Sequence, residues 1–253
     1  MSFFSGADAY DRFMGRYSVE LAPLFADFSG VEPGLRVVDV GCGPGALTTE
    51  LVSRLGAESV AAADPTEPFV EAVRERNPGV DARLAPAENL PFDSDEFDSA
   101  LAQLVVHFMS DPVAGLREMG RVTRQGGLVT ACVWDHAPGG SGPLSLFWEA
   151  THQLDPGSRG ESYMAGTGEG DLAALFAEAG ISSVEDGALT FEVEHASFEE
   201  WWEPYTLGVG PVGVYVDGLD EAGVERLREA CRALLPPAPF TLSIRAWAAR
   251  GRA

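Results

Sequence analysis

Apolar residues follow two rhythms along this chain. Short, largely apolar runs at Val37–Val40, Val60–Ala63 and Leu128–Trp134 read as strands buried on both faces. Between them, apolar residues recur at helical spacing. One such helix is predicted from Val19 to about Phe28, with Val19, Leu21, Leu24, Phe25 and Phe28 on one face and Ser18 as its cap. A second carries Leu47, Leu51, Val52 and Leu55, and a third runs from a cap at Thr66 to the breaker Asn77-Pro78-Gly79. Residues 81 to 85 read as a short strand and Phe97 to Ala102 as the fourth. Asp111-Pro112 supply a cap and a first-turn proline for a helix to about Thr123, ahead of the Gly126-Gly127 turn. Strands alternating with helices predict an α/β fold, a Rossmann-like doubly wound sheet.

Beyond Asp135 the pattern loosens. His136 to Pro143 is a loop by composition, and helices are predicted from about Leu144 to Leu154, Leu172 to Ala179 and Glu221 to Leu235. Strands are predicted over 188–194 and from Phe240 to Trp247. Between them Trp201, Trp202 and Tyr205 cluster beside a glycine-broken segment, which suits a lid over an apolar substrate.

The first strand runs directly into Gly41-Cys42-Gly43-Pro44-Gly45. Without Cβ atoms the backbone can turn sharply off the strand and let a nucleotide-like ligand lie against it. Asp64 closes the second apolar run where a carboxylate accepting from ribose hydroxyls is expected. Gly41-x-Gly43-x-x-Ala46 also satisfies the dinucleotide fingerprint, so the residues alone leave two ligands open.

Val-Asp-Val-Gly-Cys-Gly-Pro-Gly, with Asp39 just before the glycines, resembles the first motif of class I S-adenosylmethionine (SAM)-dependent methyltransferases. Asp64, the stretch Ala85 to Phe92 and Arg121 to Gly127 follow at family-like spacing. Together they are similar to the group that includes the ubiquinone and menaquinone biosynthesis methyltransferases, over roughly residues 10 to 135. The resemblance implies a mostly parallel sheet with an antiparallel last strand and helical lid insertions. It also implies one domain over 1–253, with an N-terminal helical segment (1–30) over the cofactor, a SAM-binding core (35–135) and substrate-side elaborations (136–180 and 196–238). The implied SAM contacts are Asp39, Gly41, Cys42, Gly43, Gly45, Asp64, Pro65, Ala87, Glu88, Gln103 and Leu104, with Arg16 pairing the methionyl carboxylate through a bidentate bond.

The formal charge is −22, which repels phosphate backbones and anionic membrane surfaces and excludes nucleic acid as a partner. All 17 basic residues are arginine, so neither a phosphate-loop lysine nor a Schiff-base lysine is available. Three scattered cysteines form no disulfide framework or metal site, and no apolar run spans a bilayer, so a cytoplasmic protein is expected. His107 follows the fourth strand, where open α/β sheets bind ligands, and is the candidate catalytic base. The reading is a SAM-dependent methyltransferase acting on a small molecule. The alternatives are an NAD-dependent oxidoreductase and a non-catalytic SAM-binding regulatory protein.

Overall fold

The computed structural model describes residues 10–253; Met1 to Ala9, the start of the expected N-terminal segment, lie outside the described residues. A π-helical turn over Asp11–Gly15 runs straight into α1 (Arg16–Phe28). Ser18 therefore sits inside the helix, 3% exposed, and caps nothing.

The core alternates as the apolar rhythm predicts: β1 (Val37–Val40), α2 (Ala46–Leu55), β2 (Val60–Asp64), α3 (Glu67–Arg76), β3 (Asp81–Leu84), β4 (Phe97–Gln103), α4 (Pro112–Val122) and β5 (Thr123–Trp134). Every residue of β1 and β2 is buried, as expected of strands covered on both faces. Asp111 caps α4 by accepting from the Ala114 amide at 2.9 Å. Thr66 makes no side-chain cap for α3. Its own amide donates instead to Asp64 Oδ1 at 2.8 Å.

The second half adds α5 (Ser145–Leu154), α6 (Asp171–Glu178), β6 (Ser182–His195), α7 (Phe198–Trp202), α8 (Gly210–Asp217), α9 (Glu221–Leu234) and β7 (Phe240–Arg252). The sheet order is β3-β2-β1-β4-β5-β7-β6. β7 runs antiparallel to both neighbours, so it alone opposes the other strands. β6 and β7 extend well beyond the predicted segments because small residues such as Ala248, Ala249 and Gly251 break the apolar alternation but still pair, Val129 facing Gly251 and Ala131 facing Ala249.

Two hydrophobic clusters cover the two faces. One, under α1 and α2, continues without interruption into α5, α7, α8 and α9. There Phe147 is fully buried, with ring centroids 5.2 Å from Trp148, 5.1 Å from Tyr205 and 6.3 Å from Trp202. Trp201, Trp202 and Tyr205 are 1%, 6% and 2% exposed and line none of the cavities near the glycine turn. The aromatic cluster is thus the packed centre of the helices of the second half. Its burial against Phe147 and Phe198 outweighs any surface role.

Trp202→Ala should therefore act on stability, lowering it by about 3–5 kcal/mol through lost transfer energy and a residual cavity. Urea unfolding of the variant checks this; a change under about 1 kcal/mol would return Trp202 to the surface of a binding pocket.

Candidate functional site

The chain winds outward from β1 through β2 to β3, then returns to β4 beside β1 and continues the other way. The crevice outside the carboxyl ends of β1 and β4 is the switch point at which such sheets bind ligands. A cleft of about 230 Å³ opens there, lined among others by Gly41, Gly43, Asp64, Pro65, Ala87 and Leu104.

The turn after β1 is pinned to β2 amide by amide. Gly41 N and Cys42 N donate to the Ala63 carbonyl at 2.7 and 3.1 Å, and Gly43 N donates to Asp64 Oδ2 at 3.0 Å. Both glycines have positive φ, +71° and +51°. A Cβ on Gly41 would overlap the Val105 side chain, whereas one on Gly43 would stand in open space, in the cleft that Gly43 lines. Gly41 is required by packing, and Gly43 leaves room for a ligand. Gly45 instead starts α2 and does not line the cleft.

Asp64 is 6% exposed and its burial raises its carboxyl above the ordinary value. Each of its oxygens accepts from one backbone amide, and the carboxylate lines the cleft. Asp39 lies underneath, 1% exposed, accepting from Thr48 Oγ1 at 2.6 Å; burial pushes its carboxyl up to about 7. Asp39 thus ties β1 to α2. Asp39 and Cys42 reach only a narrow extension of the cleft, and burial and the two aspartates hold the Cys42 thiol well above its ordinary value, which excludes it as a nucleophile.

Gln103 donates to the Ser18 carbonyl at 3.0 Å, while its Oε1 is buried without a partner on the cleft's edge. Leu104 follows at φ +64°, a strained position for a branched side chain, and such strain gathers at functional sites. Glu88 turns its carboxylate onto the Ser110 and Asp111 amides at 2.8 and 3.2 Å. Arg16 is not brought to the cleft. Its guanidinium donates to Glu200 at 2.9 Å and to the Glu194 carbonyl at 2.9 Å, and it lines an open groove on the other side of α1. The guanidinium joins α1 to α7 and to the end of β6.

His107 lies beyond β4, 7% exposed, with Nδ1 buried and unpartnered. Burial and the neighbouring His136, 6.0 Å away between ring centroids, hold its imidazole well below the ordinary value. Sequence reasoning missed His136 and Glu161, which line the same chamber. His136 follows the end of β5, so its place beyond a strand terminus was a usable signal; Glu161, in a glycine-rich loop, carried none.

The residues present fit a nucleoside ligand with a polar tail: an open glycine face, a carboxylate with spare acceptors beside it, and an orphaned amide oxygen at the edge. Comparison with known proteins agrees. Residues 38–131 match the family model described as a methyltransferase domain. An uncharacterised methyltransferase of Mycobacterium tuberculosis is 36% identical over 135 residues, 53% of this chain and 52% of that protein. A demethylmenaquinone methyltransferase of a Mycobacterium species is 39% identical over 103 residues, 41% of this chain and 43% of that protein. The matches thus span about half of these relatives or less. A Bacillus subtilis protein of known structure shares the fold, with a TM-score of 0.59 at 19% identity over 94% of this chain and 98% of its own. So does a geranyl diphosphate C-methyltransferase from Streptomyces coelicolor solved with S-adenosyl-L-homocysteine, with a TM-score of 0.52 at 15% identity over 94% of this chain and 80% of its own.

The raised Asp39 carboxyl has a testable sign. A carboxyl held near 7 in the fold and at 3.8 in the open chain contributes stability below pH 4 that is lost as pH rises to about 7. Asp39→Asn, which still accepts from Thr48, should match wild type at pH 4 and exceed it by up to about 4 kcal/mol at pH 7. Denaturant unfolding at both pH values reads the difference; a gap that shrinks with rising pH would refute the assignment.

Proposed function

We propose that this chain, a stretch of which matches the methyltransferase domain family, transfers the methyl group of SAM to a small-molecule acceptor. The observation that carries the reading is the open face of Gly43 beside the Asp64 carboxylate, at the switch point of the sheet. In this reading Gly41 and Gly43 let the ligand lie on the backbone, Asp64 accepts from its ribose hydroxyls, and Pro65, Ala87 and Leu104 enclose its rings. Asp39, Cys42 and Gly45 shape the turn from beneath, Gln103 offers its free oxygen to the ligand's polar end, and Glu88 orders the loop beyond. Arg16 acts as a positioning residue between α1 and the lid.

When bound, SAM supplies a sulfonium methyl open to in-line attack. The protein's task is then to orient the acceptor and exclude water, and approximation alone is worth roughly 7 to 11 kcal/mol. His107 is the group we assign to accept a proton wherever the acceptor must lose one. Residues 35–135 form the cofactor-binding core, and 136–180 and 196–238 the acceptor side. The NAD reading shares the glycines and Asp64, but the downstream stretches that match the methyltransferase family argue against it. A net charge of −22 disfavours nucleic acid as acceptor. No helix among the described residues is long and apolar enough to cross a membrane. We assign the chain to the cytoplasm, with its three buried cysteines unpaired.

Asp64→Ala should weaken S-adenosylhomocysteine binding roughly tenfold to a hundredfold, the loss of a charge-assisted acceptor. Gly43→Asn keeps a residue tolerant of positive φ but fills the cleft, so it should fold normally and bind at least about tenfold more weakly. Calorimetry with both variants, and with NAD as the competing ligand, decides the matter. Tighter binding of NAD than of SAM by the wild type would sink the assignment.

A further inference from the structure

Two further cavities adjoin the cofactor cleft in turn. Leu104 and Phe108 separate it from an inner chamber of about 30 Å³ whose walls include Phe13, Trp134 and His107. His136 and Glu161 then separate that chamber from an outer cavity of about 470 Å³, bounded by the loop after β5 and by α5. No arginine lines any of the three spaces, and the chain has no lysine.

The partition is built around an uncompensated carboxylate. Glu161 is 3% exposed and accepts one side-chain hydrogen bond, from Trp148 Nε1 at 2.7 Å. Among the described residues it has no basic partner. A carboxylate withdrawn from water without a counter-charge is costly, and that burial pushes its carboxyl up to about 7. Around it face His136, whose buried Nδ1 also lacks a partner, His152, which is tied to the Ser158 carbonyl at 2.9 Å, and the exposed Glu149 at the mouth. An anionic ligand would meet the Glu161 and Glu149 carboxylates with no arginine opposite them. A cation would supply what Glu161 lacks, lie beside the Trp148 ring, and be drawn in by the field of a strongly acidic protein.

On the methyltransferase reading, we propose that the inner chamber and outer cavity are the acceptor site. Glu161 is its charge-selecting residue, so the acceptor is an apolar, ring-bearing molecule that carries a protonated amine. Trp148 holds the carboxylate in place through its indole N–H. The apolar walls of Phe13, Trp134 and Leu144 take the rest of the molecule.

Three probes with one skeleton and different charge test this: phenethylamine, 2-phenylethanol and phenylacetate, each titrated by calorimetry into the protein with S-adenosylhomocysteine present. The amine should bind at least about tenfold more tightly than the alcohol, and the acid should not bind measurably. Glu161→Gln still accepts from Trp148, so it should fold and bind S-adenosylhomocysteine like wild type while binding amine and alcohol about equally. Glu149→Gln makes the same change in net charge at the rim and should keep the preference. The proposal is overturned if the alcohol matches the amine in wild type, if no probe binds, or if Glu161→Gln retains the preference. Failure of wild type to bind S-adenosylhomocysteine would instead overturn the cofactor reading beneath it.

Discussion

Three consecutive amides of one tight turn donate to the end of the neighbouring strand, and the site is arranged around that attachment. Gly41 and Cys42 share the Ala63 carbonyl, and Gly43 takes the Asp64 carboxylate. Because the same carboxylate also receives the Thr66 amide, one side chain sets the exit of β1 and the entry of α3 together. The bonds require a backbone that bends through positive φ twice, which side chains resist. Asp39 then locks the turn to α2 through Thr48. Gly43 and the Asp64 carboxylate are left lining the cleft side by side, a polar surface suited to sugar hydroxyls.

The second half of the chain is held by a different kind of interaction. Phe147, Trp202 and Tyr205 make a continuous aromatic core, and Tyr205 donates to the Pro143 carbonyl at 3.2 Å, fixing the loop that carries His136. Asp135 steadies the same loop by accepting from the Ser141 amide at 3.0 Å, with Arg245 3.4 Å away. The outer rim is tied by Arg16 to Glu200 and by Arg228 and Arg232 to Glu199. These partly exposed pairs orient the lid more than they stabilise it. The cohesion of these helices therefore comes from buried rings rather than from the ion pairs at their rim.

Legibility followed how local each signal was. The strands β1 and β2, the glycine turn and the Asp111 cap depend on neighbours in sequence, so residue order alone specified them. The lengths of β6 and β7 were not legible, since pairing with β5 rather than alternation decides where they end. Clustered aromatics look the same in sequence whether they line a pocket or fill a core, and Trp201 and Trp202 fill a core. Arg16 stands close to the cleft in sequence terms, but a guanidinium goes to the nearest carboxylate in space, which is that of Glu200. Glu161 could be found only in three dimensions, because its significance is the absence of a partner.

That absence belongs to a wider balance of buried titrating groups. Asp39 and Glu161 are both pushed up to about 7 by burial, so each contributes stability that is lost as pH rises from about 4 to 7. His136 and His195 are pushed down to about 4, and His107 is held well below its ordinary value. A histidine kept neutral in the fold contributes stability above pH 6.5 that is lost as pH falls toward 4. The two sets act in one window with opposite sign, so the buried histidines work against the pH dependence of the buried carboxyls. A cation seated against Glu161 would remove one member from that balance by favouring its ionised form. Binding of such a cation and binding of a proton would then be linked at a residue that does not line the cleft beside Gly43.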